Sequence, residues 1–458
     1  MSGSLQSQPS PGPGLNSSPS ARPGSTGREG IAGILALIAV LACLTSALYY
    51  AHFSDFYNPD SPGYIAPAAN LLAGNGFSDA QGNPDTLRTP GYPLVIVPFL
   101  WAHLDLKYLI LFQHLLRALI IVATAAFAFQ LSGNRRQAVL VGVLLSLDLP
   151  FLRSANNIMT EVVFTLALGI ALQLLWTGSM KLNGRMVRCL SAGLLCGATV
   201  LIRPVSIFLF VPVAIYLGLV RREWRAAAAF CVAFLCLPLA WAVRNDLKAG
   251  YLGVSSISGY SVMQSRAAGV LAINDPGEFY ANLDKRQAEL AAQTCHDLER
   301  IHGVADCEQL SIPIRSAYYS KVGVGILRRH PFAYLKLAIR GSGMMMLTGS
   351  PASLAGITGL NFDVAAKLLL LYTVPCLSFA VFGLKQCWNS NRAFFWLAVL
   401  IIGYFVVVSS GAETFARFRV PVLPLYSILI ALGLDSAWQR ISSRRQNPVV
   451  RDAGGLSS

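Results

Sequence analysis

The chain has 458 residues, of which 54% are hydrophobic and only 13% are charged. Soluble domains carry about 25% charged residues, so this composition excludes an ordinary soluble protein and indicates an integral membrane protein. The formal net charge of +14 does not predict nucleic-acid binding, because the basic residues cluster in short segments between apolar runs, as the positive-inside rule requires.

Residues 1–29 are rich in Ser, Pro and Gly and are predicted to form a disordered cytoplasmic tail. An apolar run from Ile31 to about Tyr50 is too long and starts too late for a cleaved signal peptide, so we interpret it as the first membrane span. Further runs are long enough to cross a hydrocarbon core of about 30 Å. They lie near 108–131, 137–151, 160–177, 188–203, 204–220, 226–243, 364–385, 393–410 and 418–436.

Ten spans (range 9–12) place both termini in the cytoplasm, with every strongly basic loop on that side. The sequence therefore predicts an all-α, multi-pass protein of the cell inner (plasma) membrane, whose membrane domain covers 30–440. Two larger external loops that carry short helices are expected at 51–107 and 244–330, and a second cytoplasmic tail at 441–458.

One further segment, 330–349, is apolar enough to span but contains Lys336 and Arg340. Counting it as a span breaks the charge alternation downstream. We interpret it as an interfacial or re-entrant helix whose basic side chains reach toward lipid headgroups.

The first external loop holds carboxylates that are costly to keep beside lipid without a use. Asp60 stands at a loop-to-helix entry, where it can accept a proton from a hydroxyl nucleophile; a helix N-cap is the alternative interpretation. Arg88 precedes a rigid Thr-Pro-Gly-Tyr-Pro turn, and its planar guanidinium suits a phosphate. A surface ion pair between Arg88 and Asp85 or Asp79 explains it equally well.

Charged residues also stand at the predicted outer ends of later spans. Glu161 either complements the dipole of the helix that it begins or acts as a second acid at the outer mouth. Outer arginines run against the positive-inside trend, so several of them together indicate an anionic phosphate site. These arginines are Arg203, Arg244, Arg417 and Arg419. Within the second span, His114 and Arg117 are either functional or part of a structural ion pair with Glu161 or Asp148.

Cys295 and Cys307 lie in the second external loop, where an oxidising compartment would allow a disulfide. His, Asp and Glu side chains nearby make a zinc site conceivable. Their spacing fits no standard zinc motif, so a solvated helix face is the favoured interpretation.

The order of motifs resembles the GT-C superfamily of membrane glycosyltransferases, specifically its protein-mannosyltransferase and aminoarabinose-transferase-like branch. The resemblance covers about 30–440. It is carried by Asp60-Ser-Pro-Gly-Tyr64, Leu71-Leu-Ala-Gly-Asn-Gly-Phe77, Arg88-Thr-Pro-Gly-Tyr-Pro93, Met159-Thr-Glu161, Leu201-Ile-Arg-Pro204, Trp241-Ala-Val-Arg-Asn245 and Arg417-Phe-Arg-Val-Pro421.

The resemblance implies inverting transfer of a sugar from a polyprenyl-phosphate donor to a hydroxyl acceptor on the outer side. It makes Asp60 the candidate general base, assisted by Glu161. The donor phosphate would be held by outer arginines, namely Arg88, Arg203, Arg244, Arg417 and Arg419. Tyr64 and Asn245 would shape the substrate pocket.

Many members of this superfamily have a second acid where this chain has Ser61. No cofactor is firmly predicted, and a divalent metal is left open. The partners predicted are the lipid-linked donor, an unidentified acceptor and membrane lipid.

A flippase for a lipid-linked sugar is the first alternative to a glycosyltransferase, although a flippase would be expected to show internal repeats. A glycan polymerase or ligase is the second.

Overall fold

The computed structural model describes residues 25–176 and 182–446. These ranges are helical and contain no strand; one isolated bridge pairs Ser78 with Pro84. The α-helices in chain order are α1 Ser25–His52, α2 Pro62–Leu72, α3 Gly91–Trp101, α4 Lys107–Ser132, α5 Arg135–Leu147, α6 Leu149–Ala155, α7 Glu161–Trp176, α8 Leu182–Ile202, α9 Phe210–Ile215, α10 Trp224–Ala249, α11 Ile257–Tyr260, α12 Ala268–Ala272, α13 Phe279–His302, α14 Ile312–Arg329, α15 Pro331–Leu347, α16 Pro351–Thr358, α17 Phe362–Ser390, α18 Arg392–Ser409 and α19 Leu423–Gln446. Three 3-10 segments cover Pro204–Ser206, Cys307–Gln309 and Ala416–Val422, and two π-helical segments cover Tyr216–Val220 and Ser261–Ala267.

Seven of the described helices are long and apolar enough to cross a membrane, which confirms the prediction of an all-α, multi-pass membrane protein. They are α1, α4, α8, α10, α17, α18 and α19. The bent pair α5 and α6 makes an eighth if it forms one span. The predicted spans at 160–177 and 204–220 correspond to shorter apolar segments, Glu161–Trp176 and Pro204–Val220. The total of ten spans stays a prediction.

The predicted span 137–151 is broken, because α5 and α6 meet at an angle of 59°. Asp148 stands at the break and its Oδ1 accepts a hydrogen bond of 2.9 Å from the Phe151 backbone N–H. This bond caps α6. On the other side of the break, the guanidinium of Arg117 donates to the backbone carbonyls of Leu145 and Ser146. Arg117 therefore supplies hydrogen bonds to the last carbonyls of α5, which the break would otherwise leave without a donor.

Small residues allow the long helices to approach closely. Gly193 and Gly197 of α8 lie against the backbone oxygens of Phe230 and Phe234 in α10, so a side chain at either glycine would collide with the neighbouring helix. This Gly-x-x-x-Gly spacing is typical of tightly packed membrane helices. It explains why α8 and α10 form the most extensive helix pair of the bundle.

The two polar loop regions are helical. The first contains α2 and α3, two short helices that pack on each other, as predicted. The second contains the short helices α11 and α12 but also α13 and α14, which have 24 and 18 residues and are longer than predicted. The external position of both regions stays a prediction. Helix α1 begins at Ser25 and α19 ends at Gln446, so both extend past the predicted membrane-domain limits of 30 and 440. The remainder of the two predicted tails lies outside the described residues.

Helix α15 occupies the segment interpreted as interfacial. It is 17 residues long and is not among the span-length helices. It packs against α12, α17, α18 and the 3-10 segment Ala416–Val422. Phe332, Leu335 and Ile339 are more than half exposed on it. Its position in the membrane interface stays a prediction.

Candidate active site

Asp60 lies in the turn that leads into α2, and its side chain faces two arginines instead of capping the helix. Its Oδ1 accepts a hydrogen bond of 2.9 Å from Nη2 of Arg88, and its Oδ2 lies 4.0 Å from Nη1 of Arg417. The turn is held by Ser61, whose hydroxyl donates to the backbone oxygen of Ile158 and accepts from the Asn58 N–H. Ser61 thus fixes the loop that carries Asp60.

Arg88 is positioned by its own backbone as well as by Asp60. The Oδ1 of Asp85 accepts hydrogen bonds from the backbone N–H groups of Leu87 and Arg88, which shapes the turn ahead of α3. The guanidinium lies 4.9 Å from the ring centre of Tyr64. Burial alone would lower the pKa of Arg88, but neighbouring Tyr64 and Asp60 outweigh it, and the pKa is raised. Arg88 therefore stays charged.

Glu161 and Arg203 form a second buried ion pair. Nη1 of Arg203 lies 2.5 Å from Oε1 of Glu161 and 3.2 Å from the hydroxyl oxygen of Thr160. The Glu161 side chain is 1% exposed, and its Oε2 has no hydrogen-bond partner in the described part of the chain. Pro204 starts a 3-10 turn that directs Arg203 back toward α7.

Tyr64 lies close to both ion pairs. Burial raises the pKa of its phenol; the carboxylates of Asp60 and Glu161 add to the shift, and Arg88 and Arg203 oppose it. The ring meets Tyr92 edge to face, with centroids 5.2 Å apart. Tyr64 is therefore a neutral group close to both carboxylates, and its predicted part in a substrate pocket stays a prediction.

Both ion pairs lie at one cavity of about 340 Å³, although Glu161 and Arg417 reach it only through their partners and do not line it. Of the predicted site residues, Asp60, Tyr64, Arg88 and Arg203 line it directly. The sequence did not single out Arg266 or Glu413, which line it too. Several hydroxyl side chains complete the wall: Ser258, Ser261, Ser265, Ser409 and Thr414.

Arg266 carries little sequence signal. It stands in a polar loop with no motif around it, and the π-helical turn Ser261–Ala267 that presents it has no recognisable pattern. Such turns occur often at functional sites. Glu413 is exposed, and its Oε1 accepts a hydrogen bond of 3.3 Å from Gln287 of α13.

Two of the predicted residues bind backbone groups away from Asp60. Arg244 donates to the carbonyls of Phe77 and Asp85 and so ties the first loop region to α10. Asn245 is fully buried and donates to the carbonyls of Gly253 and Val254. Neither lines the cavity that contains Asp60.

Arg419 lies on another face of the 3-10 segment Ala416–Val422. Its guanidinium pairs with Asp148 at 3.3 Å and donates to the Met346 carbonyl at 2.8 Å. It lines a separate, mainly apolar cavity of about 270 Å³ between α5, α6 and α17. Arg417 and Arg419 are only two residues apart, yet Arg417 faces Asp60 and Arg419 faces Asp148.

Cys295 and Cys307 are joined by a disulfide that connects α13 to the following 3-10 turn. With Glu299 and Asp306 they form the one group in the described chain whose His, Cys, Asp or Glu atoms lie close enough to hold a metal ion. Disulfide sulfurs are not thiolate ligands, so the two cysteines cannot bind a metal ion as thiolates while they are bonded to each other.

Asp60 is not part of such a group. Within the described residues, Asp60 lacks the further acids or histidines that a divalent metal requires, and an arginine faces it instead.

No protein-family model and no curated protein matches the sequence. Among solved structures, the chain is similar to the archaeal oligosaccharyltransferase AglB from Archaeoglobus fulgidus, in complex with an inhibitory peptide and a dolichol-phosphate. That match has 13% identity and a TM-score of 0.50, and covers 95% of this chain and 53% of the other. ArnT from Cupriavidus metallidurans, bound to undecaprenyl phosphate, is 15% identical with a TM-score of 0.43 over 90% of this chain and 79% of the other.

The likeness to AglB shows that this chain shares the fold of that membrane protein over most of its length, in agreement with the fold that the motif order predicts. This chain spans about half the length of AglB. At 13% identity the likeness establishes the fold alone, so the chemistry has to be argued from the cavity.

Proposed function

We propose that this protein is a membrane glycosyltransferase that moves a sugar, with inversion, from a polyprenyl-phosphate carrier to a hydroxyl acceptor. The observation that carries the proposal is a carboxylate, Asp60, held by two arginines at a cavity with two further arginines in its wall. A base beside several guanidinium groups is what transfer away from a phosphate requires.

In the proposed reaction the acceptor oxygen attacks the anomeric carbon while the bond from that carbon to the phosphate oxygen breaks. The acceptor proton passes to Asp60. The electron pair of the broken bond stays on the phosphate, which leaves as the lipid phosphate. Guanidinium groups stabilise the negative charge that develops there, because they form paired hydrogen bonds with phosphate oxygens.

Both oxygens of Asp60 face guanidinium groups, Arg88 at 2.9 Å and Arg417 at 4.0 Å. An incoming phosphate competes for these cations. We propose that donor binding draws Arg417 away, since its separation from Asp60 is the longer and its side chain is 38% exposed. This frees Oδ2 to accept the proton only when the donor is bound.

The proposal also places the cavity on the outer side of the plasma membrane, since the loop regions that line it alternate with the strongly basic segments. Glu161 is proposed to hold Arg203 in place rather than to transfer a proton, because its side chain is buried against that arginine. AglB and ArnT, in their complexes with dolichol-phosphate and undecaprenyl phosphate, make a polyprenyl-phosphate donor the first choice to test.

The test is transfer of radiolabelled sugar from a panel of polyprenyl-phosphate hexoses and pentoses, in membranes that contain the full chain. Asp60→Asn removes the proton acceptor and keeps the shape, so transfer should fall by about 10²-fold or more. Asp105→Asn is the matched control, since Asp105 is 62% exposed in the same loop region and its one ion pair among the described residues is with Lys107.

Asp105→Asn should retain the parental rate. Transfer by Asp60→Asn at the parental rate would remove Asp60 from the base role. Movement of labelled lipid across the membrane without any transfer of sugar would favour the flippase.

A further inference from the structure

The loop that follows α18 forms the exposed edge of the cavity. Glu413 lines the cavity, and both Glu413 and Phe415 are exposed. The residues between and beside them are buried, namely Ala412, Thr414 and Ala416. Such alternation is typical of extended backbone, in which every second side chain points to the same side. Glu413 and Phe415 therefore present a carboxylate and an aromatic ring on one open side of the loop.

The loop is held in place by buried contacts. The Thr414 hydroxyl donates a hydrogen bond of 2.6 Å to the Ser409 carbonyl and accepts one of 2.8 Å from the Gly411 N–H. Ala412 is fully buried and packs in the hydrophobic cluster that also contains Leu337 of α15. The two exposed side chains therefore stand on a fixed backbone, and a ligand that binds them has little chain entropy to remove.

The ring of Phe415 is stacked on Tyr280 of α13, with centroids 6.4 Å apart and planes within 15° of each other. The guanidinium carbon of Arg340 lies 4.9 Å from the centre of the Tyr280 ring. Phe415 is 45% exposed, and Asp284 and Lys285 are exposed one turn along α13. We infer that Phe415 borders water rather than lipid and offers an apolar ring face among polar groups.

Hydrogen-bonding groups lie beside this ring. Gln287 follows Tyr280 by two turns of α13, and its amide nitrogen donates to Oε1 of Glu413 at 3.3 Å and to the Gln264 carbonyl at 2.9 Å. Among the described residues, the amide oxygen of Gln287 receives no hydrogen bond and Glu413 has no ion-pair partner. Glu413 and Gln287 therefore keep free acceptor positions for the hydroxyl groups of a ligand.

We propose that Glu413, Gln287, Phe415 and Tyr280, here called the rim, bind a pyranose ring of the acceptor, and that the acceptor is a carbohydrate. A pyranose has a face of C–H groups that packs on an aromatic ring, and adjacent hydroxyl groups that donate to a carboxylate. Glu413 and Asp60 line the same cavity, so a sugar on the rim can direct another hydroxyl toward the base.

The position of the rim favours the acceptor over the sugar of the donor. A lipid-linked donor has to keep its chain in the membrane, whereas the rim borders water beside the polar helix α13. The inference rests on the proposed function, because it takes the cavity that contains Asp60 to be the site of transfer.

The first experiment measures binding without transfer. Methyl pyranosides of glucose, galactose, mannose, arabinose and N-acetylglucosamine are titrated onto the full chain in lipid nanodiscs and followed by saturation-transfer NMR. At least one should bind, with the strongest transfer to C–H protons of one ring face. Phe415→Leu and Glu413→Gln should each weaken that binding by about tenfold, because they remove the aromatic face and a charged acceptor. Phe415→Trp should keep it.

Two matched controls make the same changes away from the rim. Phe332→Leu alters a phenylalanine of α15 that is 81% exposed, and Glu289→Gln alters a carboxylate of α13 whose side chain is 46% exposed. Both should bind the pyranoside like the parent. Thermal unfolding midpoints should be the same for all variants, which separates lost binding from lost folding.

The second experiment separates the acceptor from the donor sugar. With the tightest pyranoside as acceptor and a radiolabelled polyprenyl-phosphate sugar as donor, Phe415→Leu should raise the acceptor KM by about tenfold and leave kcat and the donor KM unchanged. A raised donor KM with an unchanged acceptor KM would place the transferred sugar on the rim and would overturn the inference.

The outcomes distinguish the two proposals. If no pyranoside binds the parent, or if folded Phe415→Leu and Glu413→Gln variants bind it like the parent, the assignment of the rim is wrong. Sugar transfer to a lipid or peptide acceptor in the same membranes would then leave the proposed function standing. Pyranoside binding that depends on Phe415 and Glu413, without transfer from any donor of the panel, would support the rim and contradict the proposed function.

Discussion

At the scale of single residues, Ser61 shows how a departure from a family pattern can be a structural choice. Its side chain is fully buried and bridges the Asn58 N–H to the Ile158 carbonyl. An ionised carboxylate cannot donate to that carbonyl, so a second acid at this position would not make the same bridge. The Ser61 hydroxyl therefore fixes the turn that carries Asp60, and position 61 supplies no second carboxylate beside Asp60.

Asp85 gives a prediction about pH. Burial raises its pKa; hydrogen bonds from the backbone N–H groups of Arg88 and Leu87 oppose the shift without cancelling it. A raised folded pKa means that the folded state holds the proton more tightly than the unfolded state. Asp85 therefore disfavours the folded state above its folded pKa, and this cost disappears as the pH falls through that pKa toward the ordinary aspartate value.

Asp85→Asn keeps the oxygen that accepts those two bonds and removes the charge. We expect the variant to be the more stable protein at neutral pH, and the difference from the parent to shrink as the pH falls. Thermal unfolding midpoints of the two proteins between pH 4 and 8 measure this. Asp85→Ala is the control, because it loses the acceptor and should be destabilised throughout. If the stability advantage of Asp85→Asn over the parent grew as the pH fell, the raised pKa of Asp85 would be contradicted.

At the scale of secondary-structure elements, Arg117 resolves an alternative that the sequence left open. Its expected partners were Glu161 or Asp148, but Glu161 pairs with Arg203 and Asp148 with Arg419. Arg117 is fully buried on α4 and donates instead to the carbonyl oxygens of α5 and α1. Its role is structural, at the point where α5 breaks.

We predict that Arg117→Met destabilises the bundle. It would leave the Leu145 and Ser146 carbonyls without their donor, at a cost of about 1–3 kcal/mol for each buried orphan group. The thermal unfolding midpoint of the detergent-solubilised protein should fall by several degrees, and the binding of lipid phosphate should persist below that temperature. Arg300→Met, at an exposed position, should leave the midpoint unchanged. An unchanged midpoint in Arg117→Met would contradict the structural role.

The same element shows what sequence reasoning could and could not reach. Apolar length predicted the helical bundle, because a bilayer requires it, and the motif order predicted that Asp60, Tyr64, Arg88 and Arg203 belong together. Neither the apolar lengths nor the motif order predicted which arginine pairs with which carboxylate. Arg244 and Arg419 looked like cavity residues, yet they bind backbone carbonyls and Asp148. Such choices depend on side-chain direction across distant helices, which spacing along the chain does not encode.

At the scale of the whole molecule, the cavity is assembled from segments far apart in the chain. The first loop region supplies Asp60 and Arg88, the end of α8 supplies Arg203, and the second loop region supplies Arg266. Arg266 escaped prediction because its neighbours in sequence carry no motif and its site appears only when the loops close over the bundle. A substrate bound here would contact both loop regions, so its binding should restrict their relative motion.

The orientation of the molecule is the last prediction. If the cavity faces outward, Gln81 in the first loop region is outside and Ser390, the last residue of α17, is inside, and both are exposed. Single cysteines at these positions, in a chain whose seven unpaired cysteines are replaced, should react differently with an impermeant maleimide on intact cells. Gln81→Cys should label and Ser390→Cys should label only after permeabilisation. The reverse pattern would place the cavity in the cytoplasm, where the carrier would present its sugar from the opposite leaflet.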